Sequence, residues 1–136
     1  MINESGSCGL VFTIKQVSMN WTELKSPHQL EALRAESKEQ TIIIFKHSTT
    51  CSISRTALNR LERNWSEEEM TSVKPYYLDL LSYREISRSI ADQFDVEHQS
   101  PQVIVLKNDE AVFHKSHFDI EFASIKAAVF ATSIKN

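Results

Sequence analysis

Hydrophobic and polar residues alternate along this chain in blocks that predict strands and helices in turn. Three blocks are short and rich in β-branched or aromatic residues, which is typical of buried strands. They cover residues 41–46, 75–79 and 102–106. After the third block, Asn108-Asp109 is a turn signal, and residues 111–114 return as a hairpin partner. The pattern therefore predicts four strands, the last two of which are antiparallel.

Between the strands, apolar residues recur every three or four positions, which predicts four amphipathic helices. The first begins with Ser26 as N-cap and Pro27 at the first helical position, and the second runs from about 51 to 65. Ser82 and Asp119 are the predicted caps of the third and fourth helices. The residues predicted to face inward are Ile53, Ala57, Leu58, Leu61 and Trp65 in the second helix, Ile86, Ile90, Ala91 and Phe94 in the third, and Ile120, Ala123, Ala127 and Phe130 in the fourth.

The order of elements is α β α β α β β α. Strand–helix–strand units imply parallel strands joined by right-handed crossovers, and the final hairpin adds an antiparallel pair. The predicted fold class is therefore α/β, with a four-stranded mixed sheet covered by helices on both faces, which is the thioredoxin-like arrangement. We expect residues 19–136 to form one domain and residues 1–18 to be an N-terminal extension or tail. In that tail, 10–14 is apolar enough for an edge strand.

Composition excludes several classes of function. Fifteen Lys and Arg against 18 Asp and Glu give a net charge of −3, which argues against a nucleic-acid partner. No apolar run approaches the roughly 18–20 residues of a membrane span, and no basic-then-apolar signal peptide opens the chain, so we expect a cytoplasmic protein without a membrane partner. The only glycines are Gly6 and Gly9, so a Gly-rich phosphate loop is excluded. Cys8 and Cys51 form no metal-binding cluster, so no metal is predicted.

Cys51 stands at the predicted junction between a strand and a helix. The free N–H groups and the positive dipole end of a helix favour a thiolate over a thiol there. The preceding residues 47–50 are polar and suit an exposed loop. Cys51 is therefore the candidate nucleophile for covalent or redox chemistry. Three residues later stands Ser54 rather than a second cysteine, so no disulfide can close within the motif, and the predicted chemistry is monothiol.

Several neighbours are candidates for supporting the thiolate or binding substrate. The Ser54 hydroxyl could donate a hydrogen bond to the sulfur, and Ser52 adds an N–H donor close to it. Thr50 is expected to cap the helix rather than contact substrate. His47 and Lys46 would add positive charge if they faced the site, and are otherwise a solvent-exposed loop histidine and a solvated strand-end lysine.

Pro101 immediately precedes the strand 102–106. In thioredoxin-like folds, a proline at this point is usually cis and lies beside the reactive cysteine. We therefore predict a cis Ser100–Pro101 bond, which would let Ser100 offer its backbone to a bound disulfide. The alternative is a trans proline that only marks the start of a strand.

Four segments carry a resemblance to a known family. Lys46-His47-Ser48-Thr49-Thr50-Cys51-Ser52-Ile53-Ser54 and His98-Gln99-Ser100-Pro101-Gln102, together with Asn20-Trp21-Thr22-Glu23-Leu24 and Tyr77-Leu78-Asp79-Leu80, are similar to the monothiol bacilliredoxin family, also called the YtxJ family. The resemblance covers about residues 19–130. One departure is Ser52, where many members have proline.

The resemblance implies a thiol-disulfide oxidoreductase that removes bacillithiol from protein mixed disulfides through Cys51. It implies bacillithiolated client proteins as partners, bacillithiol as the low-molecular-weight thiol co-substrate, and no bound cofactor. Two alternatives stay open. One is a thioredoxin-like redox sensor or binding module. The other is an iron–sulfur carrier of the monothiol-glutaredoxin kind, although the run 51–54 lacks the glycine that allows close approach to a cluster.

Overall fold

The computed structural model describes residues 20–131, which form a central mixed sheet with helices on both faces. The strands are β1 (Thr22–Glu23), β2 (Thr41–His47), β3 (Val73–Asp79), β4 (Gln102–Lys107) and β5 (Glu110–Ser116). They lie in the spatial order β1-β3-β2-β4-β5. β2 is central and pairs parallel with β3 and antiparallel with β4, and β1 adds a parallel pair on the far side of β3. The helices are α1 (Pro27–Glu36), α2 (Ser52–Asn64), α3 (Arg84–Phe94) and α4 (Phe122–Phe130), with a 3₁₀ turn at His117–Asp119.

The predicted fold class is confirmed, with one more strand than expected. All four predicted strands are present, and the last two form the predicted antiparallel hairpin. The additional strand, β1, has two residues, which pair with Tyr76 and Tyr77. Two residues are too short to show a strand period, so this strand left no signal in the hydrophobic pattern.

The sheet separates two hydrophobic cores. Because successive side chains of a strand point to opposite faces, Ile42 and Ile44 of β2 pack with α1 and α3, whereas Ile43 and Phe45 pack with α2 and α4. Every residue of β2 after Thr41 is buried. The end of this strand therefore delivers Lys46 to one covered face and His47 to the other.

The starts of the helices test the predicted caps. Ser26 is confirmed, since its Oγ accepts a hydrogen bond from the N–H of Gln29 at 3.2 Å. The prediction of Ser82 as the cap of α3 was wrong. α3 starts after Tyr83, and the Ser82 hydroxyl donates to the Asp79 carboxylate at 3.0 Å. The prediction of Asp119 as the cap of α4 was also wrong, because Asp119 ends the 3₁₀ turn and α4 starts only after Glu121.

The inward faces of α2 and α4 differ from the prediction. In α2, Ile53 is 38% exposed and Ser54 is fully buried in its place. In α4, the buried residues are Ile125 and Val129. Ile120 is buried as predicted but precedes the helix, and Leu58, Trp65 and Ala91 are half-buried. The predicted core positions that are exposed instead are Ala123, Ala127 and Phe130.

The hairpin turn is tied to the first helix. Asn108 and Asp109 both have positive φ, at 52° and 64°, which suits the asparagine and aspartate predicted there. Arg34 of α1 holds the Asp109 carboxylate with two hydrogen bonds, of 2.7 and 2.9 Å. The guanidinium lowers the pKa of Asp109, mainly through this hydrogen bond.

Residues 20–131 contain no helix that is long and apolar enough to cross a membrane. The predicted tail of residues 1–18, with Cys8 and the possible strand 10–14, lies outside the described residues.

Candidate thiol site

Cys51 lies at the junction between β2 and α2. A tight turn connects them, in which the N–H of Cys51 donates to the carbonyl of Ser48 at 3.1 Å. Cys51 is the N-cap residue, with an extended backbone (φ −102°, ψ 122°), and its own carbonyl accepts from the N–H of Arg55 at 3.1 Å. Its side chain is half-buried and free. The thiol therefore sits at the first turn of a 13-residue helix and stays accessible.

Thr50 does not cap this helix, contrary to the prediction. The cap position belongs to Cys51, and α2 has no side-chain cap hydrogen bond. Thr50 and Ser52 are both exposed on either side of the cysteine. They flank the thiol rather than shield it.

His47 and Ser54 form a buried polar pair beneath the turn. Nδ1 of His47 lies 2.7 Å from Oγ of Ser54, and the same Oγ accepts from the N–H of Ser48 at 3.0 Å. His47 is 4% exposed and Ser54 is fully buried. The Ser54 hydroxyl is thus engaged by the start of the turn, whereas the sequence had placed it against the sulfur.

The environment of His47 favours its neutral form. Burial lowers the pKa of His47, the charge of Arg55 lowers it further, and Asp79 opposes both effects. Its ring lies 5.6 Å from that of Tyr77 and 6.2 Å from that of Phe45. His47 is therefore a packed hydrogen-bonding residue rather than a solvent-exposed loop residue, and its lowered pKa disfavours the positive charge predicted beside the thiol.

Lys46 points to the opposite face of the sheet and is fully buried. Its Nζ lies 3.4 Å from the carbonyl oxygen of Ser87 in α3 and 3.3 Å from Nδ1 of His98. Burial lowers the pKa of Lys46 to about 8. The pKa of His98 is also lowered, first by burial and then by the charge of Lys46. The expectation of a solvated strand-end lysine was wrong.

The Ser100–Pro101 bond reaches the same end of the sheet as Cys51. Lys46 pairs with Gln102 across the sheet, so the residues just before β4 lie beside the end of β2. The bond is cis, as predicted. Pro101 is buried, and its carbonyl accepts from the N–H of His117 at 3.0 Å. Oγ of Ser100 is buried without a hydrogen-bond partner among residues 20–131.

The fold thus brings the predicted residues together at one end of the sheet. Thr50, Cys51 and Ser52 line the turn, His47 and Ser54 support it, and Ser100 and Pro101 arrive from β4. Sequence reasoning missed the partners of Lys46, which are 41 and 52 residues away along the chain. It also missed the charge of Arg55, which lowers the pKa of His47.

Solved structures with this fold include a protein described as an oxidoreductase and several thioredoxins. A thioredoxin-fold protein to which oxidoreductase activity has been ascribed is 33% identical, with a TM-score of 0.68 over 78% of this chain and 90% of that one. Thioredoxin from Fasciola hepatica is 18% identical, with a TM-score of 0.61 over 82% and 98%. Thioredoxin from Malassezia sympodialis is 13% identical, with a TM-score of 0.65 over 88% and 94%. The last two likenesses show the fold alone.

Fold, cysteine and similarities together define the class of protein: this chain is a thiol-disulfide oxidoreductase with a thioredoxin-like fold. Residues 22–125 match the family model described as Monothiol bacilliredoxin BrxC. The chain therefore belongs to the monothiol bacilliredoxin family. This family implies that its partners are thiol-related redox partners.

Proposed function

We propose that this protein removes bacillithiol from protein mixed disulfides, with Cys51 as the nucleophile. The observation that carries the proposal is the arrangement of the motif in a member of this family. Cys51 is an accessible free thiol at a helix start, and the position three residues later holds Ser54, a buried hydroxyl that cannot form a disulfide. Such a motif can accept a small thiol but cannot release it through a disulfide of its own.

The exchange takes place in two steps. The Cys51 thiolate attacks the bacillithiol sulfur of the mixed disulfide, so that a new S–S bond forms between Cys51 and bacillithiol while the client–bacillithiol bond breaks. The client sulfur leaves as a thiolate and takes a proton from solvent. A second bacillithiol thiolate then attacks the adduct, which releases the symmetrical disulfide of bacillithiol and restores the Cys51 thiolate. Bacillithiol is thus the co-substrate: one free bacillithiol thiol is consumed for each client thiol released, and its sulfur is oxidised as the client sulfur is reduced.

The residues around Cys51 at this end of the sheet have roles that fit this chemistry. Thr50 and Ser52 leave the thiol open on both sides, and the His47–Ser54 pair holds the turn from below. The backbone of Ser100 lies at the same end of the sheet and would hold the incoming disulfide.

Intact-protein mass spectrometry tests the nucleophile. Reduced protein is mixed with oxidised bacillithiol, and one bacillithiol adduct is expected on wild type and on Cys8→Ala, but none on Cys51→Ala. Turnover is then measured with a bacillithiolated model protein and excess bacillithiol, with the glutathionylated form of the same protein as the matched comparison. Many turnovers per Cys51 are expected on the bacillithiolated form.

Two results would contradict the proposal. Release of bacillithiol by Cys51→Ala at the wild-type rate would show that Cys51 is not the nucleophile. A single stoichiometric adduct without turnover would instead support the redox sensor that the sequence left open.

A further inference from the structure

Lys46 is a buried amine with no acidic partner in the described part of the chain. It is fully buried at the end of the central strand, and its contacts are a carbonyl oxygen and an imidazole nitrogen rather than a carboxylate. Burying a cation without a counter-charge is costly. A methionine would fill similar space without that cost. The amine therefore calls for an explanation other than packing.

The contacts of Lys46 tie three separate elements together. Its Nζ joins the end of β2 to the carbonyl of Ser87 in α3 and to His98, and the Ser87 hydroxyl lies 3.2 Å from the same Nδ1 of His98. When Lys46 is an ammonium, it donates to both acceptors, and His98 then carries its proton on Nε2. His98 as a whole residue is exposed. Without the contacts to Lys46 and Ser87, the His98 ring would have no hydrogen-bond partner among residues 20–131.

Gln102 completes the support from the neighbouring strand. It pairs directly with Lys46 across the sheet and is 1% exposed. Its side-chain amide donates to the carbonyl of Glu97 at 3.0 Å. Two buried side chains on paired strands thus hold the two consecutive residues Glu97 and His98. The segment 97–101, which ends in the Ser100–Pro101 bond, is fixed to the sheet through them.

We infer that Lys46 is a positioning residue for the exchange reaction: through His98 it fixes the segment 97–101, and so places the Ser100 backbone for the client's mixed disulfide. This inference rests on the proposed function for the identity of the client. Lys46 itself touches neither the substrate nor Cys51, since it lies on the face of the sheet opposite to His47 and α2. Misplacement of a binding group by about 1 Å can cost two orders of magnitude in rate, so the anchor matters to catalysis without contact.

The test separates positioning from a merely structural role. In Lys46→Met, kcat/KM for a bacillithiolated protein is expected to fall at least tenfold, mainly through a higher KM. The rate of Cys51 alkylation by iodoacetamide is expected to stay within twofold of wild type. His98→Gln should reproduce the loss, and the double variant should add little to it. Lys74→Met is the matched control, since Lys74 is a half-buried strand lysine paired with Glu36 at 3.1 Å and remote from the segment.

Backbone ¹⁵N relaxation gives a readout that needs no thiol substrate. The order parameters of residues 97–100 should fall in Lys46→Met, while those of β2 and α2 stay unchanged. Unchanged order parameters in this segment would overturn the inference whatever the activity. An equal fall in alkylation and turnover would also overturn it, because the lysine would then act on Cys51 or on the whole fold. Lower order parameters in this segment in a protein that turns over no bacillithiolated client would support the anchor and reject the proposed function.

Discussion

Replacing Ser54 by alanine tests the polar pair beneath the cysteine. The substitution removes the oxygen that lies 2.7 Å from Nδ1 of His47 and 3.0 Å from the N–H of Ser48. A buried polar group left without a partner costs about 1–3 kcal/mol. His47 is buried and takes the full cost, whereas Ser48 is half-buried and is partly satisfied by water. We expect the free energy of unfolding to fall by about 2–4 kcal/mol, which corresponds to a fall in Tm of roughly 8–16 °C for a domain of this size.

Urea denaturation measures this loss, with Ser52→Ala as the matched control. Ser52 is an exposed serine in the same helix turn, so its replacement should change the free energy by about 0.5 kcal/mol or less. The m-value should stay constant in both variants if the folded and unfolded states are otherwise unchanged. A Ser54→Ala protein as stable as Ser52→Ala would show that the pair does not support the turn, and would refute the reasoning.

Three further predictions follow from the backbone and from burial. Ser52→Pro should keep stability within about 1 kcal/mol of wild type in urea denaturation, because Ser52 is the first helical residue and Cys51 already has the extended backbone that precedes proline; a larger loss would contradict it. The pKa of Lys46 is lowered from 10.5 to about 8, so the unfolded chain binds more protons between these values. Stability should therefore rise from pH 8 to 10.5 in wild type and rise less in Lys46→Met, and equal slopes would contradict this. Asn108→Ala should cost about 1–2 kcal/mol in thermal denaturation because of its positive φ, whereas Asn108→Gly should not.

The strands and their order could be predicted because they depend on local patterns. The apolar runs of β2 and β4 are continuous and bounded by polar residues, and the Asn108-Asp109 signal fixed the hairpin between β4 and β5. These features need no knowledge of distant contacts. The two-residue strand β1 exists only through its pairing with β3, so the sequence around it carries no comparable signal.

The face of α4 could not be predicted for a different reason. Most residues of Phe122–Phe130 are apolar, so several faces of the helix satisfy the hydrophobic pattern. The prediction took its phase from Asp119 and Ile120, but the 3₁₀ turn occupies 117–119 and the helix starts later. The observed face follows Ile125 and Val129, four residues apart.

The polar residues of the site show the limit of pattern reasoning most clearly. Ser54 is buried where the pattern favoured Ile53, because His47 supplies a partner for its hydroxyl. Lys46 is buried because Ser87 and His98 accept its hydrogen bonds from more than 40 residues away. A polar side chain is normally assigned to the surface. Only the tertiary structure shows when it has the partners that allow burial.

These contacts change the meaning of the missing second cysteine. In a dithiol motif, the residue three positions after the nucleophile must turn a free sulfur toward it. Here that position faces inward, and its hydroxyl is bound by His47 and by the start of the turn. The fold uses the position to hold Cys51 in place, so the monothiol character is built into the packing beneath the cysteine. The second sulfur must then come from outside the motif, and in the proposed function a small thiol from solution supplies it.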